Sequence, residues 1–266
     1  MVCPVPACGF SRTYVITGDT GLAVVDVGSV GAADDVMEFI KRSLGGDVKD
    51  VRAILATHFH FDHIGGIGRL LFSAAADTKV FFHRLVKDYL EGRNVLAPMK
   101  NWCTAFGPTA WKSAGYVRKP SHLHFESLAG IPLPALRKLS TLPYPMDRIV
   151  FFDGDGARRY LAGFDGWEVI ETPGHTEDSL SFYHGGSEEL ICGDLMVNMD
   201  KGGKGRLNGF YASKEGVVES FDFLLRNVKA KTIYPGHGEP VQSEGNALRG
   251  VEAFAVGRDD ALKDIG

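Results

Sequence analysis

The stretch Thr57-His58-Phe59-His60-Phe61-Asp62-His63-Ile64-Gly65-Gly66 narrows what this chain can fold into more than any other feature. It follows residues 51–56, a short apolar run that reads as a buried strand, so three histidines and an aspartate emerge together at a strand end. In extended backbone, residues two apart face the same way, which lets His58 and His60 present imidazoles to one ion. Asp62 and His63 fall where the chain bends toward Gly65-Gly66 and can point at a neighbouring ion. Imidazole nitrogen and carboxylate oxygen suit Zn²⁺, Fe²⁺ and Mn²⁺, and gathering them without a cation would bury costly polar groups. The competing reading, histidines that merely cap a strand, leaves that cost without a return.

Four side chains cannot complete two ions, and three further donors stand after β-rich runs beside glycine. They are His175 in Pro173-Gly174-His175, Asp194 in Cys192-Gly193-Asp194, and His237 in Pro235-Gly236-His237. Glycine there lets backbone approach closely. Taken alone, each reads equally well as a loop residue.

The rest of the chain supplies the frame. Residues 14–16 and 22–25 are β-rich and flank Gly18-Asp19-Thr20-Gly21, a hairpin turn composition. Residues 33–44 place Val36, Phe39, Ile40 and Leu44 on one helical face, closed by Gly45-Gly46. Strand 51–56, helix 66–72, strand 79–82 and helix 85–91 follow. Residues 94–145 break the rhythm with seven prolines and no clean periodicity, the signature of an irregular insertion. Strands return at 148–153, 167–172, 179–183 and 189–192, then a helix at 214–228, a strand at 232–234 and a closing helix at 246–263. Two half-chains of strands followed by helices predict two sheets face to face with helices outside.

Composition removes other classes. At 266 residues, with 44% hydrophobic and 23% charged, the chain can bury a core of its own and is neither disordered nor coiled coil. A net charge of −4 provides no basic field for nucleic acid or an anionic membrane. No apolar run approaches the roughly 20 residues of a membrane span, and the first residues lack a secretory signal, so a cytoplasmic protein is expected. Cys3, Cys8, Cys103 and Cys192 are too scattered for a disulfide framework; Cys3 and Cys8 fall in an N-terminus that reads as mobile, and Cys192 reads as a core residue of its strand.

With H-x-H-x-D-H at His58–His63 followed in order by His175, Asp194 and His237, the chain resembles the metallo-β-lactamase superfamily over essentially its whole length. The resemblance implies an α+β, four-layer αββα sandwich, a single domain over 1–266 with the 94–145 insertion as a lid, dimer or substrate-specificity segment. It implies one ion on His58, His60 and His175, a second on Asp62, His63 and His237, Asp194 bridging both together with a water or hydroxide, and Asp26 supporting the metal loop from behind. Asp62 and Asp194 are then the catalytic carboxylates. Zinc is the first expectation for the two ions, with iron or manganese as alternatives.

Within the superfamily, Asp194 stands where the commonest dinuclear β-lactamases carry cysteine, and His60 where flavodiiron proteins carry glutamate. The glyoxalase II and lactonase branch fits better, which implies a hydrolase of a small ester, thioester or lactone. The alternatives are a single-iron persulfide dioxygenase-like oxidoreductase and a phosphodiesterase. A small-molecule substrate is expected, with no nucleic acid or membrane partner, and a homodimer is open. Trp102, Phe106, Trp111 and Tyr116 of the insertion are candidates for an apolar wall or for a secondary core, and Tyr211 for a pocket residue or a packing one. His83, His122, His124 and His184 are expected to be structural.

Overall fold

The computed structural model describes residues 1–6, 8–152 and 158–254. A first sheet runs β1 (Val2–Pro4), β2 (Tyr14–Gly18), β3 (Gly21–Val25), β4 (Val51–Leu55), β5 (Lys79–His83) and β6 (Ile149–Phe152), each hydrogen-bonded to the next. The first three are antiparallel neighbours and β3 to β6 are parallel. Parallel neighbours need crossovers, and these carry α1 (Val30–Ser43), then α2 (Phe61–Ile64) and α3 (Ile67–Ser73), then α4 (Leu85–Leu90) and α5 (Gly107–Ser113). The second sheet contains β7 (Arg158–Tyr160), β8 (Trp167–Glu171), β9 (Leu180–His184), β10 (Glu189–Asn198), β11 (Arg206–Leu207), β12 (Thr232–Gly238) and β13 (Val241–Gln242). Its order is β13-β12-β10-β9-β8-β7, with β11 beside β10. Only β10 and β12 are parallel, joined through α6 (Lys214–Asn227).

Strand alternation turns this order into layers. Val24 of β3 and Ile54 of β4 pack outward on Val36 and Ile40 of α1 and Leu70 of α3. Their neighbours Ala23, Val25, Ala53 and Leu55 face the other sheet, against Val169, Leu180, Phe182 and Ile191. Ile170, Leu190 and Ile233 then meet Val217 and Leu224 of α6 on the far side. The result is the expected four-layer αββα sandwich, in which each fully buried aliphatic side chain contributes about 1.5–3 kcal/mol. Among the described residues, no helix is long and apolar enough to cross a membrane.

Several expectations needed correction. The first helix begins at Val30 rather than Ala33 because the Ser29 hydroxyl accepts from the Ala32 amide at 3.1 Å, a cap worth about 1 kcal/mol. The N-terminus is an edge strand rather than a mobile tail, with Cys3 opposite Val15 and Cys8 buried; all four cysteines are free. The expected strand 148–153 is Ile149–Phe152, and Asp153 lies outside the described residues. Of the closing helix 246–263, the described part is a 3₁₀ turn, Ala247–Gly250, followed by a bridge from Glu252 to Arg206; residues 255–263 lie outside the description. The insertion is ordered into a π-helical turn, Trp102–Phe106, that runs into α5, and 3₁₀ turns at Ala114–Tyr116 and Pro120–Leu123.

Candidate metal centre

The two sheets bring their functional ends to one place. His58 leaves the carboxyl end of β4, and His60 sits just before α2, whose first turn carries Asp62 and whose third residue is His63. His175 comes from the β8–β9 connection. Asp194 and His237 lie inside strands longer than their apolar runs: β10 and β12 continue through register shifts at Ile191/Gly193 and Gly193/Val197. Such irregularities re-aim side chains out of the pleat. Gly193 holds φ at 51°, and a Cβ on it would press on Thr57. At Gly236 a Cβ would run into Asp194 Oδ1 and His63, so only glycine leaves room for donors there.

All seven expected donors converge. His60 Nδ1 is 3.1 Å from His58 Nε2 and 3.2 Å from His175 Nε2. Asp194 lies between the halves, Oδ2 at 3.4 Å from His175 Nε2 and 3.3 Å from His237 Nε2, Oδ1 at 3.5 Å from His63 Nε2. Asp62 Oδ2 is 3.6 Å from His237 Nε2. Three sets of donor atoms each fall within 4.8 Å of one another: His58, His60 and His175; His58, His63 and Asp194; Asp62, His63 and His237.

For four of the five rings the other face decides which nitrogen is offered, while His60 Nε2 is buried with no hydrogen-bond partner. Thr57 Oγ1 donates its one proton to Asp26 Oδ2, so it accepts from His58 Nδ1 at 3.0 Å and leaves His58 Nε2 with a lone pair. His63 Nδ1 donates to Asp26 Oδ2 at 2.8 Å, His175 Nδ1 to the Phe210 carbonyl at 2.7 Å, and His237 Nδ1 to the Phe10 carbonyl at 2.9 Å. Each bond turns Nε2 toward the centre, the arrangement that orients metal-binding imidazoles.

Electrostatics favour a cation in both halves. Burial, reinforced by the neighbouring histidines, drives His58 and His60 well below the ordinary histidine range, and burial lowers His175 despite Asp194. Three neutral rings therefore aim lone pairs at one small volume, which no single proton satisfies. In the other half, burial would lower His63, but Asp194, Asp26 and Asp62 carry it up to about 10, and Asp194 likewise raises His237. Burial would raise Asp194, yet His237, His63 and His175 hold it well below the carboxylate range. Asp194 Oδ1 and His63 Nε2 are buried with no hydrogen-bond partner. Orphaned donors of this chemistry fit divalent metal ions.

Several supporting residues carried no readable signal. Asp178 accepts the Phe59 amide, between His58 and His60, at 2.7 Å, and the Ser11 hydroxyl donates to the Asp62 carbonyl. Phe10 and Phe210 act through backbone carbonyls, which no side-chain pattern reveals. Only Asp178 left a trace, as an acid three residues after His175.

The remaining candidates lie elsewhere. His122 is buried against Asp35 of α1 at 2.6 Å, His124 lends its carbonyl to Val30, His83 approaches Glu171 at 3.6 Å, and His184 meets Ser187. Cys192 is buried in β10 outside the donor sets. Tyr211 packs on Phe254 beside a separate cavity. A cavity of 250 Å³ opens on the donors; of the four candidate wall aromatics only Phe106 lines it, joined by Phe125 of the same segment. Trp102 stacks behind Phe106, Trp111 is 83% exposed, and the Tyr116 hydroxyl donates to Glu239.

Comparison with known proteins agrees with this architecture. The sequence profile described as the metallo-beta-lactamase superfamily matches residues 6–81 and 99–237. The probable metallo-hydrolase YflN of Bacillus subtilis is 26% identical over 229 residues, covering 82% of this chain and 75% of that protein. A hydroxyacylglutathione hydrolase of Vibrio cholerae is 24% identical over 88% of this chain and 64% of its own length. A solved structure described as a di-iron-bound form superposes with a TM-score of 0.53 at 21% identity, over 87% of this chain and 89% of that one. With the donor order, the αββα layers and the profile in agreement, the chain is a member of the metallo-beta-lactamase superfamily.

Proposed function

We propose that the chain is a dinuclear metal-dependent hydrolase of a small ester, thioester or lactone. The observation that carries this reading is the convergence of seven donors, among them four histidines whose outward nitrogens are held by Thr57, Asp26 and the carbonyls of Phe210 and Phe10. His58, His60 and His175 would hold one ion and Asp62, His63 and His237 the other, with Asp194 shared. Ions of this kind acidify water and polarise a carbonyl, which is the chemistry ester cleavage needs at neutral pH.

The chain's own groups do the rest. Asp62 Oδ2, facing His237 and His63, orients the attacking water and accepts its proton. Aromatic walls exclude other water. Ser113 Oγ lies 3.3 Å from His237 Nδ1, but that nitrogen donates to Phe10, so no base activates the hydroxyl. Burial pushes the Cys192 thiol far up, which removes it as a nucleophile. Zinc is the first choice for both ions, with iron or manganese the alternatives, since His and Asp donors suit all three. A single-iron oxygenase needs only three donors and open positions; the second set, Asp62, His63 and His237, favours two ions.

The test is elemental analysis of protein purified without chelator or affinity metal, with a panel of ester, thioester, lactone and phosphodiester substrates. Near two metals per chain with hydrolysis of an ester, thioester or lactone is expected. One iron per chain, oxygen uptake on a persulfide and no hydrolysis would overturn it.

A further inference from the structure

Every described side chain lining the donor cavity is either a candidate metal donor, a small polar group or apolar. Phe61, Phe106, Ala110, Phe125, Pro132 and Phe210 form its apolar walls, and its charged members are confined to the donor set. Among the described residues, no lysine or arginine lines it. Cationic side chains are present one chamber away: Lys112, Arg206 and Lys214 line a second cavity of 520 Å³, which shares Thr109 and Asn208 with the first. The aromatic side of the inner cavity is built rather than incidental. Phe106 and Phe210 have ring centroids 4.9 Å apart, and Trp102 packs on both at 5.2 and 4.9 Å.

A charge carried at the far end of an acyl chain lying against Phe106, Phe125 and Phe210 would lose its hydration with no lysine or arginine among the described lining residues to meet it. An alkyl or aryl group loses nothing by the same transfer and gains from burial. Resting on the hydrolase reading, we propose that the acyl side of the substrate is uncharged and apolar, seated against Phe106, Phe125 and Phe210. Its leaving group is directed past Thr109 and Asn208 into the outer, more polar cavity. The 250 Å³ chamber is smaller than the roughly 300–1,000 Å³ of pockets that take drug-sized ligands, so the acyl group is short.

The metal-loaded protein should be assayed on 4-nitrophenyl esters from acetate to decanoate and on the hemisuccinate, with calorimetric binding of hexanoate and adipate as a readout independent of turnover. Expected are a kcat/KM that rises up to about fourfold per methylene over the shorter esters and falls before decanoate, a hemisuccinate at least about tenfold poorer than the butyrate, and tighter binding of hexanoate than adipate. Ala110→Leu should move the optimum to shorter chains and Phe106→Ala to longer ones, each with wild-type metal content. A flat chain-length profile, or a hemisuccinate equal to butyrate, would overturn the apolar chamber while leaving the hydrolase standing. Preferential hexanoate binding with no hydrolysis of any ester, thioester or lactone would keep the chamber and overturn the hydrolase.

Discussion

Asp26 Oδ2 lies 2.8 Å from His63 Nδ1 while its Oδ1 accepts the Thr57 amide at 2.8 Å, so one buried carboxylate ties a metal-facing ring to the backbone that precedes His58. It does so from a left-handed conformation, φ 57°, which aspartate tolerates better than most residues. Asp26→Ala should therefore weaken metal binding by about 10- to 100-fold through His63. Competition with a chromophoric chelator measures this; an unchanged affinity would mean that packing alone holds the ring.

Asp194 faces both halves of the centre, and His60 Nδ1 is the atom nearest to two other ring nitrogens. Asp194→Ala and His60→Ala are expected to lower metal content below two per chain and to cut turnover by about 10²-fold or more, with circular dichroism unchanged. Full activity in either variant would sink the assignment. Chelator treatment of the wild-type protein should abolish hydrolysis, and added metal should restore it.

Gly236 has no space for a side chain, because its Cβ would meet Asp194 Oδ1 and His63. Gly236→Ala is expected to lose metal while keeping the secondary structure. Elemental analysis beside circular dichroism decides it, and wild-type metal content in the variant would show that the loop yields.

Burial pushes Asp178 up to about 6 from an ordinary 3.8. Native protein then binds more protons than unfolded chain between about pH 4 and 6, so Asp178 favours folding most at low pH, and that contribution is lost as pH rises through 6. The two units correspond to at most about 3 kcal/mol. Asp178→Asn retains an oxygen for the Phe59 amide and does not titrate. Urea unfolding of metal-saturated protein should find it more stable than wild type at pH 8 and equal to it at pH 4; a difference that does not vary with pH would rule out the titration.

The donor cluster was legible because it is local: His58 to His63 lie within six positions, and extended geometry alone pairs His58 with His60. The layers were legible because period-two and period-3.6 patterns report which face is buried, as at Val24 against Val25 and at Val36 with Ile40. Helix and strand ends were less so, since Ser29 caps α1 through a side-chain bond, and β10 and β12 extend past their apolar runs by pairing with each other.

The sequence by itself determined which chemistry the chain can carry, since the residue types and their order name the donors, and it determined the sandwich that must deliver them. Tertiary structure alone decided which nitrogen three of the histidines offer, because that choice is made by partners far along the chain: Asp26 for His63, the carbonyl of Phe210 for His175 and that of Phe10 for His237. It also decided that the insertion contributes Phe106 and Ala110 to the cavity and turns Trp111 to solvent. Backbone carbonyls and the facing of an irregular segment leave no periodic trace in a sequence; they are settled only when distant segments pack.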